Sequence, residues 1–284
     1  MSEPKKLYCA PNKNKKTLTC FSKKDLIILI KSYNKHKKKE YQIQTENKTK
    51  NQLWNLLNQK MKKDCNNEWC WIEKNFVPAS YSNKLKESFR PEMPKEWKKN
   101  PFEWLSNFDI EDVMKQYEKK YPSFIFMGPF PSDCPTVINC SLSGLTVDTF
   151  INRLGKTKLG IIFNLDTHNK PGSHWVSTFF DFKKGRIIYF DSVGMPPPKL
   201  IKIFLEKMKK SCEKYYLDNF DYKKDVNIYI NKTQFQFGNT ECGIFSMYFI
   251  ISNLQGKSIQ EMNPKNINDS VMNELRKFYY RPDY

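Results

Sequence analysis

The sequence lacks the features that mark several large classes of protein. No apolar stretch approaches the ~18 residues that a membrane-spanning helix needs. The longest, Gly243–Leu254, is short and is interrupted by Ser246. The opening MSEPKK leads into no apolar signal segment, so the expectation is a protein that is not secreted. There is no internal repeat and no Gly/Ser-rich linker. Eight cysteines in 284 residues, without a secretory signal, read as thiols rather than as a disulfide framework. Histidine is scarce as well: His36, His168 and His174 are the three candidates for any imidazole chemistry.

What is present is enough for a core. The chain is 39% hydrophobic and 15% aromatic, which excludes wholesale disorder. Its length suits one large domain, or a core with a smaller appendage. The net charge of +18 is unevenly placed. Residues 1–100 hold 24 Lys and Arg against 10 Asp and Glu, a net +14; residues 101–284 hold 24 against 20, a net +4. Runs such as Lys35-His36-Lys37-Lys38-Lys39 suit nonspecific contact with nucleic acid or another polyanion. A solvated Lys/Asn-rich surface explains the same runs without a partner.

The periodicity divides the chain in the same place as the charge. Residues 24–39 and 49–63 carry apolar side chains at helical spacing, Leu26, Ile27, Ile30 and Tyr33 in the first, Leu53, Leu56, Leu57 and Met61 in the second. Pro91 and Pro94 mark a boundary, which predicts a basic, mainly helical arm over 1–95 and a core over 96–284. In the core, a helix is expected over Ile110–Tyr121, capped by Asn107 or Asp109. Leu159–Leu165 reads as a buried strand. His174–Phe182 and Arg186–Phe190 flank Lys183-Lys184-Gly185 and read as a hairpin. Pro196–Pro198 opens a helix with Leu200, Ile203, Phe204 and Met208 on one face. Val226–Ile230 is a further strand, and Cys242–Leu254 an apolar helix. This order predicts an α+β fold.

One constellation carries chemistry. If residues 182–185 form a four-residue loop, Asp181 pairs with Arg186 and Asp191 becomes a diagonal neighbour of His174 on one face. A three-residue loop would put the two on opposite faces. In the first register Asp191 can orient the imidazole, as the third member of a triad does. Cys242 begins an apolar helix, where unpaired N–H groups and the dipole favour thiolate. Gln236, six residues earlier, can donate its amide to a developing oxyanion, with the Cys242 backbone N–H as a second donor. Gln234 is a rival for that role. Gly243 removes bulk beside the nucleophile. A lone cysteine in an apolar helix is more often inert core. It is the order His, acid, Gln, Cys-Gly that raises this one.

That order resembles the adenain and SUMO-protease superfamily of cysteine peptidases (clan CE). Gly172-Ser173-His174-Trp175-Val176 is similar to its histidine motif, Tyr189-Phe190-Asp191-Ser192 to its acidic motif and Thr240-Glu241-Cys242-Gly243 to its nucleophile motif. Trp104-Leu105 resembles the segment that opens the SUMO-protease core. SUMO proteases typically show Gln-x-Asn-Gly-x-Asp-Cys-Gly. Here Asn239 stands three before the cysteine and the acid is Glu241, which resembles the polyprotein-processing branch of large DNA viruses such as African swine fever virus. That virus's enzyme carries asparagine at the acidic position. The likeness covers residues 104–255 and extends loosely into the arm, where Cys65-x4-Cys70 is similar to a cysteine pair.

The resemblance implies a central, mostly antiparallel sheet flanked by helices. It implies His174 as general base, Asp191 as its orienting partner, Cys242 as nucleophile and Gln236 as oxyanion donor, with no metal or organic cofactor. It also implies a polyprotein substrate cut after Gly-Gly-type sites during virion maturation, in the virion or the host cytoplasm. A SUMO-type isopeptidase acting on host conjugates and a non-catalytic basic module are the alternatives. Trp175 is expected to fix the His174 strand by packing, or to cover substrate. Cys9, Cys20, Cys65 and Cys70 could supply four zinc ligands, but their spacing departs from C-x2-C and free thiols are the default. Cys134, Cys140 and Cys212 read as structural.

Overall fold

The computed structural model of the chain describes residues 8–13, 18–74, 76–136, 140–257 and 261–282. It has two compact units, Met1–Pro91 and Glu92–Tyr284.

Among the described residues, the first unit is helical. Helix α1 (Lys23–Asn34) and α2 (Lys50–Met61) each start at a capping box, Ser22 with Asp25 and Thr49 with Gln52. They are followed by α3 (Glu68–Glu73) and α4 (Ala79–Lys86). The predicted stripes form its core: Leu26, Ile30, Leu53, Leu57 and Met61 are buried together with Trp71, Leu85 and Phe89. The cysteine reading needs correction here. Cys9 is joined to Cys20 and Cys65 to Cys70 as disulfides, and in the second unit Cys134 is joined to Cys140. The chain path explains the pairing. Cys9 lies on an isolated bridge to Phe89, and Cys65 and Cys70 face each other across the turn from α2 into α3. The Cα separations, 5.1, 5.6 and 5.5 Å, are within ordinary disulfide reach. Paired sulfurs offer no thiolates to zinc. Cys212 and Cys242 remain free.

The second unit is an α+β core. Helix α5 (Asn107–Lys120) starts at Ser106, whose side chain and that of Asp109 cap each other's backbone. The cap is therefore Ser106, one residue before Asn107, and Asp109 serves as its partner in the capping box. The sheet runs β1 (Phe124–Pro131), β2 (Lys158–Asn164), β3 (Trp175–Asp181), β4 (Arg186–Phe190) and β5 (Asn227–Ile230), in that spatial order. The two central pairings are antiparallel and the two outer ones, β1–β2 and β4–β5, are parallel, so the sheet is mixed. The hairpin adopts the four-residue loop, with Asp181 opposite Arg186 and Ser177 opposite Phe190.

The three central strands are buried on both faces, whereas β5 is largely exposed. Trp175, Phe179, Ile188 and Phe190 face one cluster with helix α7 (Cys242–Leu254). Val176, Phe180, Ile187 and Tyr189 face the other, with α6 (Lys199–Phe220). Helix α6 turns a different stripe inward from the one expected: Ile201, Phe204, Leu205 and Met208 are buried, and Ile203 is 51% exposed. The stack of Phe190 on Phe249, 4.7 Å between centroids and 6° from parallel, fixes β4 against α7. A final helix, α8 (Asp269–Tyr279), packs against α7.

Candidate active site

The site lies where β3 begins, β4 ends and α7 begins. His174 stands one residue before β3, held by its carbonyl accepting from Leu165 N–H at 2.9 Å. The next residue, Trp175, donates its indole N–H to the Leu105 carbonyl at 3.1 Å and accepts at its own carbonyl from Ser246 on α7 at 3.2 Å. Asp191 follows β4 and is buried. Its Oδ1 lies 2.8 Å from His174 Nε2 and accepts from Val193 N–H at 2.9 Å. The Asn231 amide holds its backbone carbonyl at 2.7 Å.

The His174 imidazole also meets the side chain of Cys242, the first residue of α7, and this helps to raise the imidazole pKa. Nε2 is engaged by Asp191, which leaves Nδ1 available to a second partner. Burial pushes the imidazole pKa down, but the bonds to Asp191 and Cys242, with their charges, outweigh it and raise the pKa from 6.5 to about 9. The surroundings therefore favour the imidazolium form of His174. The other free thiol, Cys212, has no such surroundings. Burial raises its pKa to about 11, and it packs in the core as the sequence suggests.

The loop before α7 carries the two candidate donors, and it separates them. Gln236 is buried; its Oε1 accepts from Ser192 Oγ at 2.7 Å and its Nε2 donates to the Gly238 carbonyl at 3.0 Å. An amide nitrogen carries two hydrogens, so Gly238 engages one of them. Gln234 is exposed and donates back to the Gln236 carbonyl at 3.0 Å. Gly243 has a sharper reason than removal of bulk: a Cβ there would meet Leu105 Cδ1 at 3.0 Å, so glycine lets α7 close on the Trp104-Leu105 segment.

A groove of about 700 Å³ reaches Gly172 and Trp175, the residues near His174 in the chain, but neither His174 nor Cys242 lines it. Trp104, Leu105 and Trp175 line one part of it, and Asp166, His168 and Lys170 another. Trp175 thus both packs and borders the groove. Its polar wall is stitched tightly: Asp133 accepts from His168 N–H at 3.1 Å and lies 2.7 Å from its Nδ1, and Asp166 accepts from Gly172 N–H at 3.2 Å. Of the three histidines, His174 is the one that meets Cys242. His36 is exposed in the first unit.

A sequence profile of the Ulp1 protease family, C-terminal catalytic domain, matches residues 156–284. A viral relative from Acanthamoeba polyphaga mimivirus, a thiol protease by name, is 30% identical across 96% of this chain and 93% of its own length. The chain belongs to the Ulp1 protease family. A cysteine protease of African swine fever virus is 23% identical across 82% of this chain and 89% of its own. A crystal structure of the African swine fever virus protease matches the fold with a TM-score of 0.67 at 23% identity, covering 100% of this chain and 98% of that one. This chain is therefore a viral cysteine protease, and no helix among its described residues is long and apolar enough to cross a membrane.

Sequence reasoning missed a group of residues on α8. Asp269 accepts from Phe237 N–H and Gly238 N–H, both at 2.9 Å. Asn273 donates to Glu241 at 3.0 Å. Arg276 is buried, donates to the carbonyls of Glu103 and Thr240 at 2.7 and 2.8 Å, and stacks on Trp97 at 4.7 Å. A signal was available: Asn268 is a good cap, and Met272, Leu275 and Tyr279 follow at helical spacing.

Proposed function

We propose that this protease matures viral structural polyproteins by cutting after Gly-Gly-type sites, with Cys242 as nucleophile. The observation that carries the reading is the single imidazole that bonds Asp191 and also meets the Cys242 thiol. In the proposed course, the Cys242 thiolate attacks the carbonyl carbon after glycine. The negative charge passes to the carbonyl oxygen, which accepts from the second Gln236 Nε2–H and from the Cys242 backbone N–H. The C–N bond breaks, His174 gives its proton to the leaving amine, and a thioester remains. Water then attacks the thioester as His174 takes its proton, and the thiolate leaves. Asp191 keeps Nδ1 directed at sulfur throughout.

The basic first unit is proposed to hold the enzyme on nucleic acid or another polyanion in the assembling virion or the surrounding cytoplasm. A fluorogenic Gly-Gly peptide incubated with the full chain and with Cys242→Ala tests the central reading. Cleavage by the wild type alone is expected. Cleavage by both would remove Cys242 from the role. Cleavage of folded ubiquitin-like conjugates but not of peptide would move the reading to an isopeptidase.

A further inference from the structure

The oxyanion donor proposed above has an amide that must be turned to the correct side. Its oxygen is fixed by Ser192 Oγ at 2.7 Å, and one Nε2 hydrogen is held by the Gly238 carbonyl at 3.0 Å. The orientation of the second hydrogen therefore depends on where the Gly238 carbonyl sits. That carbonyl belongs to a polar turn, Phe237 to Thr240, which has no helical or strand ladder to hold it. What holds it is Asp269. One carboxylate oxygen, Oδ2, accepts both Phe237 N–H and Gly238 N–H at 2.9 Å. Two charge-assisted bonds on consecutive amides fix the position and the tilt of that backbone.

The space around Gly238 is also close on the side of Glu241. A Cβ there would lie 2.6 Å from Glu241 Oε2, which itself accepts from Thr240 N–H at 3.1 Å. The turn is thus pressed between the carboxylates of Glu241 and Asp269. Asp269 is itself anchored as the first residue of α8, after the Asn268 cap, where a negative charge is favoured.

We propose that Asp269 is a positioning residue for catalysis: by gripping the Phe237–Gly238 backbone it aims the Gln236 amide at the acyl oxygen. This rests on Gln236 being the oxyanion donor. It makes no contact between Asp269 and substrate, and it gives the terminal helix a part in the chemistry from outside the three motifs.

The test separates turnover from nucleophile activation. Alkylation of Cys242 by iodoacetamide is a displacement at saturated carbon. It needs the thiolate and no oxyanion site. Full-length wild type, Asp269→Ala, Asp269→Asn, Gln236→Ala and the double variant Asp269→Ala/Gln236→Ala are compared for peptide kcat and KM and for alkylation rate. Asp269→Ala is expected to lower kcat by about tenfold or more, with KM and alkylation within about twofold. Asp269→Asn, which keeps an acceptor oxygen, should restore most of kcat. The double variant should be no slower than Gln236→Ala, because the two act through one hydrogen bond. Undiminished turnover in Asp269→Ala, alkylation falling in step with turnover, or multiplicative losses in the double variant would each overturn the proposal. If Asp269→Ala does not fold, Asp269→Ser serves: it keeps a polar first helical residue but is too short to reach both amides. Wild-type kcat in Gln236→Ala would overturn the oxyanion assignment itself; loss there with none in Asp269→Ala would overturn only the positioning role.

Discussion

Replacing Asp191 by asparagine removes a charge and little else. The carboxylate Oδ1 accepts from both His174 Nε2 and Val193 N–H, at 2.8 and 2.9 Å, and an asparagine oxygen in the same place can accept both. The geometry should survive while the electrostatics change. In the wild type the imidazole pKa stands at about 9, against an ordinary value of 6.5. That rise corresponds to roughly 3 kcal/mol of preference for the imidazolium, shared between Asp191 and Cys242. Because the folded-state value lies above the unfolded one, this stabilisation is complete below pH 6.5 and disappears as pH rises through about 9. With the negative charge gone, burial acts against a weaker opposition and the imidazole pKa falls. The basic limb of kcat/KM, which reports the proton donor to the leaving amine, should move from about 9 toward neutrality by at least about one unit, or ~1.4 kcal/mol. The decline in melting temperature from pH 6.5 to 9 should flatten in parallel. Turnover near pH 6 should remain measurable, and Asp191→Ala, which also loses the orienting oxygen, should fall much further. The assay is peptide cleavage and thermal melting from pH 5 to 10 for all three proteins. A basic limb in Asp191→Asn that superimposes on the wild type would refute the assignment of Asp191 as the source of the raised imidazole pKa.

Arg276 should act on the nucleophile turn rather than on the oxyanion side. Its guanidinium spans the Thr240 and Glu103 carbonyls and Asn273 Oδ1, which a single ammonium cannot do. Arg276→Lys should cost about 1.5–3 kcal/mol by thermal or urea unfolding, the scale of one lost bond to a charged group. It should also slow Cys242 alkylation; wild-type behaviour on both would contradict this. For the basic arm, retention on a heparin column is expected to fall steeply between low and physiological salt. Salt-independent retention would end the polyanion proposal.

The sequence carried much of this site because its decisive step was a register. Side chains alternate along the hairpin, so one loop length places His174 beside Asp191 and another separates them. The pattern of residues 174–191 admits both, and the structure has Asp181 opposite Arg186. Helix α7 was legible to the residue, since a polar turn meets an unbroken apolar run at Cys242. Strand β1 was not. Gly128, Pro129 and Pro131 interrupt its pattern, and its partner β2 is 27 residues further along the chain from its end, so nothing local predicts a parallel pairing. The disulfides were misread because compartment and composition speak to a whole protein, whereas Cys65 and Cys70 are joined by one turn of its path. On α6, Ile203 looked inward only because its hydrophobicity was weighed without knowledge of which stripe meets the sheet.

The residues that hold the site divide differently from those that the motifs name. His174, Asp191 and Cys242 come from a strand start, a strand end and a helix start, and those three ends meet because the core brings them together. The Phe190–Phe249 stack places the residue just before Asp191 on the helix that begins with Cys242, and Ser246 ties that helix to the carbonyl of Trp175. Hydrophobic packing thus sets the distance between nucleophile and base. The loop that carries Gln236 is packed only up to Phe235, which lies on Phe190; beyond it Phe237 is 75% exposed, so polar and charged side chains hold what apolar ones do not. Ser192, the last residue of the acidic motif, does this from one side, and Asp269 and Arg276, which lie outside the motifs on α8, from the other. A variant that weakens the core should therefore lose fold and thiol reactivity together, whereas one that loosens Asp269 should leave a folded, alkylatable enzyme that turns over slowly. The two kinds of failure are separable because the fold assigns the two halves of the site to different forces.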